Sequence, residues 1–384
     1  MKWVPRERLE KRLTQALKRS AVTLLLGPRQ CGKTSLARRL AARTRAVFFD
    51  LEDPETPLTA ETLALNLRDQ KGLVIIDECQ REPALFPFLR VLADRRPLPA
   101  RFLLLGSASP ELAHGASESL AGRIAHVEME GFTLGETGPE QASCLWRRGG
   151  FPASYLARNE MESYQWRLDF IRTHLERDLP GLGIRIPAAA LRRFWLMAAH
   201  LQAQTWNASD LARSMKTQEG TAQRYLDVLT GSFMLRQLQP WSGNLGKRLV
   251  KAPKIYFRDT GLLHALLRLR TQSELQTYPR LGFSWEGFAI EEVIRRLDGD
   301  RDAYFYKTHG GAELDLLIER GGRRYGFEMK YADAPTTTKS MHVVLEDLRL
   351  EHLWVIYPGS RVFRLSEKIT AWPLSRIAAL DIGP

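Results

Sequence analysis

Residues Thr23–Leu40 read TLLLGPRQCGKTSLARRL: an apolar run, a glycine-bounded loop closed by Lys-Thr, then an amphipathic segment. Within them Gly27–Thr34 (GPRQCGKT) fits G-x-x-x-x-G-K-[ST] at every fixed position. Thr23–Leu26 reads as a buried strand, and the stretch from Thr34 onward as a helix. The motif therefore has the strand–loop–helix context that its chemistry requires. A triphosphate needs an anion cradle. Successive backbone N–H groups at a helix N-terminus form one, and glycines let the backbone approach closely. The expected cradle comprises Gly27, Pro28, Arg29, Gln30, Cys31, Gly32, Lys33, Thr34 and Ser35. Lys33 can reach the β- and γ-phosphates, and the Thr34 hydroxyl can ligate Mg²⁺. ATP and Mg²⁺ are the expected cofactors.

Leu73–Glu78 (LVIIDE) is the second informative stretch. Four apolar residues followed by two acids read as a central parallel strand with carboxylates at its C-terminal end. Ligands bind at that edge of open α/β sheets. Asp77 is expected to hold Mg²⁺ through water, and Glu78 to polarise the attacking water as general base. Arg6–Arg19 reads as an amphipathic helix, Ala46–Asp53 as a strand and Thr56–Asp69 as a helix. Arg101–Ser109 (RFLLLGSAS) reads as a further buried strand. Ser107 at its end either senses the γ-phosphate and orients water, or caps the next turn. Arg123, ahead of one more strand, either completes charge stabilisation or is an ordinary surface arginine.

With 384 residues, 44% of them hydrophobic, the chain has room for two or three ordinary cores. Three scattered cysteines, Cys31, Cys79 and Cys144, argue against a disulfide framework and for a reducing compartment. The charged start MKWVPRERLEKRL lacks a signal-peptide core, and no run approaches the roughly 18 apolar residues of a membrane span. A soluble cytoplasmic protein with no membrane partner is expected. Net charge is +12 and unevenly spread: residues 140–280 hold 21 Lys+Arg against 11 Asp+Glu, whereas 281–384 hold 14 against 16. A basic middle favours a polyanion such as DNA, unless it is only a set of solvated helix faces.

Taken together, GPRQCGKT, LVIIDECQ, LLLGSAS and SLAGRI resemble the prokaryotic AAA+ superfamily ATPases of the GPRQ-x-GKT type. The C-terminal half of that group is catalogued as a domain of unknown function. The resemblance continues through Arg148–Leu156 (RGGFPASYL), Phe170–Leu179 (FIRTHLERDL) and Tyr256–Leu267 (YFRDTGLLHALL), and so covers nearly the whole chain. It implies nucleotide binding with hydrolysis. AAA+ proteins commonly bring an arginine from a neighbouring subunit to the γ-phosphate, which leaves room for a homo-oligomer.

Phe132–Asp178 reads as mostly helical, a lid or connector, and Leu191–Leu201 as another apolar helix. Next, Ser209 is placed to cap DLARSM, and Lys216–Gly220 turns into AQRYLDVLTGS with Tyr225, Leu226 and Leu229 at helical spacing. This is a helix-turn-helix pattern. Arg248, Lys251 and Lys254 follow in an expected small wing. Gln218, Thr221, Gln223 and Arg224 would face a groove if DNA were bound. A winged helix is equally used as a protein–protein module.

In the last third, Gly282–Leu297 reads as an amphipathic helix carrying Glu286. In the strand LDLLIE, Leu314, Leu316 and Ile318 are expected on one face, and Asp315, Leu317 and Glu319 on the other. A hairpin across Gly321–Gly322 can bring Asp315 beside Glu328 and Lys330 of FEMK. Two carboxylates and a lysine on one sheet face make a candidate second Mg²⁺ site, with Glu286 nearby. Asp315…Glu328-x-Lys330 resembles the restriction-endonuclease-like nuclease fold, and the alternative is a solvated strand face or a fold that no longer cleaves. The expected fold class is thus α/β in four parts. An AAA+ ATPase core (1–135) is followed by a helical lid or connector (136–200). A winged-helix-like module (201–280) leads to a restriction-endonuclease-like domain (281–384). Two functions fit: an ATP-driven DNA-processing factor, or a nucleotide-switched scaffold that binds a protein partner and carries a silent nuclease-like domain.

Overall fold

The computed structural model describes residues 3–53, 59–107, 115–116, 118–243 and 248–383. Helix α1 (Glu7–Arg19) buries Leu9, Leu13, Ala16 and Leu17. It leads into β1 (Val22–Gly27), every residue of which is buried. Then come α2 (Lys33–Thr44), β2 (Val47–Asp50), α3 (Ala60–Arg68), β3 (Gly72–Asp77), α4 (Leu85–Ala93), β4 (Ala100–Ser107) and β5 (Ile124–Glu128). The five strands form one parallel sheet in the order β2-β3-β4-β1-β5. Both faces are covered. Leu24 and Leu26 of β1 pack with residues of α3 and α4, whereas Leu25, pointing the other way, packs with Leu13 of α1 and Leu36 of α2. Strand β4 separates β1 from β3, so the loop after β1 and the acids ending β3 start about 10 Å apart. The expected continuation of the fourth strand through Ala108–Ser109, and the expected helix start at 56–58, lie outside the described residues.

The middle section begins with α5 (Ala142–Arg148) and α6 (Glu160–Thr173), which runs on into a wider turn, His174–Asp178. Two stretches quoted above are locked together here. Asp259 accepts from the Gly150 N–H at 2.7 Å and the Leu262 N–H at 2.9 Å. A Cβ on Gly149 would stand 2.1 Å from Asp259 Oδ1, so that position admits no side chain. Next come α7 (Ala188–His200), β6 (Gln204–Thr205), α8 (Ala208–Met215), α9 (Glu219–Gly231), β7 (Leu235–Pro240) and β8 (Lys254–Phe257). The cap of α8 is Asn207, whose side chain accepts from the Asp210 N–H, and not Ser209. Helix α10 (Thr260–Leu266) closes the section.

Helix α11 (Leu281–Leu297) is buried almost all round rather than on one face, because a sheet and the preceding section enclose it. It is followed by β9 (Ala303–Lys307), β10 (Glu313–Arg320), β11 (Arg323–Met329), α12 (Lys339–Asp347), β12 (His352–Tyr357), β13 (Phe363–Arg364) and β14 (Ile369–Pro373). These strands do not form a sheet of their own. β7 pairs with β9, so a nine-stranded sheet, β13-β14-β12-β11-β10-β9-β7-β8-β6, runs across residue 280. Strand β10 also departs from simple alternation. Leu314 pairs with Tyr306 and Leu317 with Tyr304, which leaves one extra residue in β10. Leu314 therefore packs with Leu317, and Leu316 with Ile318 on the other core, correcting the face shared by Leu314, Leu316 and Ile318. The bulge falls between Leu314 and Leu317, the interval that holds Asp315.

Candidate functional site

The first site is built around the loop between β1 and α2. Gly27 ends the strand where a Cβ would meet the Met129 carbonyl at 1.9 Å, so the chain passes too close to β5 for any side chain. Cys31 is buried and its Sγ lies 3.4 Å from the same carbonyl. Gln30 is exposed with φ +64, and Gly32 precedes the helix with φ +102. This left-handed path aims the first amides of α2, those of Lys33, Thr34 and Ser35, out of the loop. The Lys33 ammonium is buried and donates to the carbonyls of Gly27 at 2.9 Å and Pro28 at 2.8 Å.

Asp77 is 2% exposed at the end of β3. It accepts from the Glu78 N–H at 2.9 Å. Burial raises its pKa, against the pull of the Thr34 side chain and the Glu78 N–H. Glu78 has left-handed backbone geometry, φ +53, unusual for a residue with a side chain. Its Oε2 accepts from Gln80 Nε2 and lies 3.5 Å from Ser107 Oγ. Ser107 thus stands with Glu78 at the C-terminal edge of the sheet, and its N–H donates to Gln80 Oε1 at 3.3 Å.

Arg29 occupies the space facing these acids. Its guanidinium is 3.1 Å from Glu52, 3.4 Å from Asp178 and 3.9 Å from Glu78. Burial works against its charge, but Glu78, Asp178 and Glu52 together raise its pKa. Asp178 comes from the wide turn after α6 and is 4% exposed. Its Oδ2 has no hydrogen-bond partner and lies 3.8 Å from His174 Nδ1; His174 Nε2 lies 3.3 Å from the hydroxyl of Ser232, the residue after α9. Glu52, Gln80 and Asp178 were not among the expected site residues. Glu52 had a signal, the acidic end of AVFFDLED, and Asp178 is the acid of the Arg-Asp pair in FIRTHLERDL.

Arg123 is not brought to this site within the chain. It precedes β5, level with Val22 at the start of β1, about 16 Å along the strands from Gly27. There it forms a two-pronged ion pair with Asp94 at 2.7 and 2.9 Å.

The second site lies in the nine-stranded sheet. Leu316 opposite Phe327 in the β10–β11 ladder puts Asp315 opposite Glu328, and Asp315 Oδ2 accepts from the Met329 N–H at 2.9 Å. Lys330 is 2.7 Å from Glu328 Oε1. Glu286 projects from α11 toward this group. Burial first, then the Asp315 charge, raises Glu286 to about 7 and Glu328 to about 8. Three further members were not expected: Glu313, Tyr256 and Lys254. Lys254 is buried among these acids and is not an exposed residue of a wing. Among the described residues, no three His, Cys, Asp or Glu side chains gather as a group that could hold a metal ion.

On the helix pair, Gln218 and Arg224 are exposed. Gln223 is committed internally, accepting from Trp206 Nε1 at 2.8 Å and donating to Asp227 at 2.9 Å. A cavity of about 530 Å³ between α1, the end of β5 and α11 is lined by Arg6, Glu130, Arg295 and Asp300. These charges pair with one another and their neighbours, as in Arg295–Glu130 at 2.8 Å and Arg6–Glu136 at 2.8 Å, so they form a structural tie between the two sheets. No helix among the described residues is long and apolar enough to cross a membrane.

A family model described as an AAA domain matches residues 19–138. Two more, each described as a domain of unknown function, match residues 140–273 and 281–377. Among solved structures, the chain is similar to the Walker-type ATPase paby2304 of Pyrococcus abyssi (TM-score 0.49, 16% identity, 69% of this chain and 96% of that one). It is also similar to the Thermotoga maritima RuvB Holliday junction branch migration motor (TM-score 0.31, 18% identity, 61% and 90%). Two mycobacterial proteins, "Uncharacterized protein Mb2031c" of Mycobacterium bovis and "Uncharacterized protein Rv2008c" of Mycobacterium tuberculosis, are each 48% identical over 366 residues, 95% of this chain and 83% of theirs. Identity of that extent places the chain in one family with these mycobacterial proteins, with an AAA-type P-loop NTPase fold at residues 19–138.

Proposed function

We propose that this chain is a Mg²⁺-dependent ATPase whose site is Gly27–Thr34 with Asp77 and Glu78. The observation that carries the reading is the left-handed loop through Gln30 and Gly32 that opens α2, with Lys33 buried against the Gly27 and Pro28 carbonyls and Asp77 buried at the end of β3. The Thr34 hydroxyl, which favours the charged form of Asp77, and the Asp77 carboxylate are both hard oxygen donors. That donor set fits Mg²⁺, which is held by one or two protein oxygens plus phosphates and water. Thr34 and Asp77 would hold the ion, which would supply neutralisation of phosphate charge. Lys33 exchanges its two carbonyl acceptors for phosphate oxygens. Glu78 takes the proton of the attacking water, with Ser107 and Gln80 fixing its carboxylate. Arg29, held by Glu52, Asp178 and Glu78, is a second cation at this edge of the sheet.

Calorimetry with ATP and Mg²⁺ tests the reading. The unaltered chain should bind and Lys33→Ala should not; equal affinity in the two would refute it.

A DNA-associated role is the second reading, favoured by the arrangement of the middle section. A helix, a strand, two helices and two strands follow in order, with β8 paired to both β6 and β7. This supports a winged helix, with Gln218, Arg224, Arg248 and Lys251 on its exposed side. The C-terminal order of helix, three strands, helix and strand supports a restriction-endonuclease-like domain. ATP turnover measured with and without duplex and single-stranded DNA at fixed salt separates the two functions. Stimulation favours DNA processing; indifference to DNA, with a protein recovered in pull-downs, favours the scaffold.

A further inference from the structure

The carboxylate cluster of the C-terminal section contains a cation from outside that section. Lys254 lies on β8, in the hairpin after the helix pair, yet its side chain is only 4% exposed. Its ammonium is 2.7 Å from Glu313, 3.3 Å from Glu286 and 3.6 Å from Asp315. Tyr256, two residues along the same strand, donates to Glu286 Oε1 at 2.6 Å. Burial opposes the Lys254 charge, but the surrounding Tyr256, Glu286, Asp315 and Glu313 groups hold it well above its ordinary pKa.

Glu328 makes the cluster more than a set of acids. It is 7% exposed and faces Asp315 and Glu286; Oε1 pairs with Lys330, while the buried Oε2 has no hydrogen-bond partner. An orphaned buried carboxylate oxygen is costly unless something binds it. Four carboxylates, Glu286, Glu313, Asp315 and Glu328, face three ammonium groups, Lys254, Lys307 and Lys330, so the fourth carboxylate is balanced by a proton or by a bound cation. Hard oxygens, a carboxylate in excess of the ammonium groups and an orphaned atom fit a small divalent cation.

We propose that Lys254 is the resident cation of this cluster, delivered by the middle section, and that a divalent cation reaches the Asp315–Glu328 pair in competition with the Lys254 ammonium. The site is then composite: a hairpin of the neighbouring section sets its ion occupancy. No cleavage is required, so a failed nuclease assay and a failed ion competition are separate results.

The test is Mn²⁺ titration of the full chain, without nucleotide, in an Asp77→Asn background that removes the carboxylate assigned to Mg²⁺ at the P-loop site. Lys254→Met keeps the aliphatic stem and should raise Mn²⁺ affinity about tenfold or more. Lys254→Arg should stay near the parent value, and adding Asp315→Asn to Lys254→Met should abolish the gain. Unchanged or weaker affinity in Lys254→Met, a gain that survives Asp315→Asn, or no Mn²⁺ binding in any variant would overturn the proposal. If Lys254→Met does not fold, the unaltered chain serves. Trace acylation of Lys254, read by mass spectrometry, should be slow without Mn²⁺ and rise at saturating Mn²⁺; labelling indifferent to Mn²⁺ counts against the proposal.

Discussion

The P-loop site and the C-terminal cluster both set acids against lysines, but they draw them from different distances along the chain. Lys33 and Thr34 are neighbours at the start of one helix, and Asp77 and Glu78 are neighbours at the end of one strand. The C-terminal cluster gathers Lys254 from β8, Glu286 from α11, Asp315 from β10 and Glu328 from β11. Its acids and lysines are set directly against one another, whereas Asp77 is met by the Glu78 N–H and is pushed toward its neutral form by burial. A site of the first kind can lose a side chain and keep its fold. A site of the second kind holds sections together, so chemistry and stability are joined in it.

The largest effect expected is on turnover. Glu78→Gln should lower the ATP hydrolysis rate about 10²–10⁴-fold while nucleotide affinity and melting temperature stay as they are. Turnover at the normal rate would remove Glu78 as the base. The sharpest contrast in stability is between Asp315 and Asp77. Asp315→Ala strips the Met329 N–H and Lys254 of an acceptor and should cost about 3–5 kcal/mol in urea unfolding. Asp77→Asn should cost less than about 1 kcal/mol, because its carboxylate is already penalised by burial. Equal losses would erase the distinction between the sites.

A smaller effect is expected at the tie between the loop and the wide turn. Asp178→Asn leaves Arg29 with Glu52 and Glu78 alone, freeing it for an anionic ligand. The KM for ATP should fall about three- to tenfold with little change in kcat; an unchanged KM would mean that Asp178 only packs. The smallest effect concerns pH. Glu292 is fully enclosed between α11 and Leu134, and burial raises it to about 7 despite Arg295 and the Leu134 N–H. A carboxyl raised in this way keeps its proton in the folded state. Its contribution is complete below the ordinary value near 4.5 and is lost as pH rises through about 7. Between pH 5 and 8 the melting temperature of the unaltered chain should therefore drop about 2–5 °C more than that of Glu292→Gln. Parallel curves would show that Glu292 is charged throughout.

Much of the first site was legible because its parts are short and local. GPRQCGKT and LVIIDE each announce a strand edge with polar groups, and a parallel sheet puts all such edges on one side. Arg123 shows the limit: its position ahead of a strand also decides which edge it occupies, and that is the opposite one. Lys254 is the instructive miss. In KAPKIYF it reads as one more exposed basic residue, and nothing local says that β8 is covered by α11. The same holds for Leu314 and Leu316, whose alternation is broken by an extra residue that only the pairing with β9 reveals.

By itself, then, the order of residues determined the glycine-bounded loop, the acid pair and the succession of helices and strands. All of these follow from contacts within a few residues and from hydrophobic period. Only the tertiary structure decided that the middle and last sections share one sheet and that Arg29 is held by an acid from beyond α6. It alone placed a lysine of one section among the carboxylates of another. Those are pairings between segments far apart in the chain. Burial and charge compensation select them, and both depend on what every other element has already enclosed.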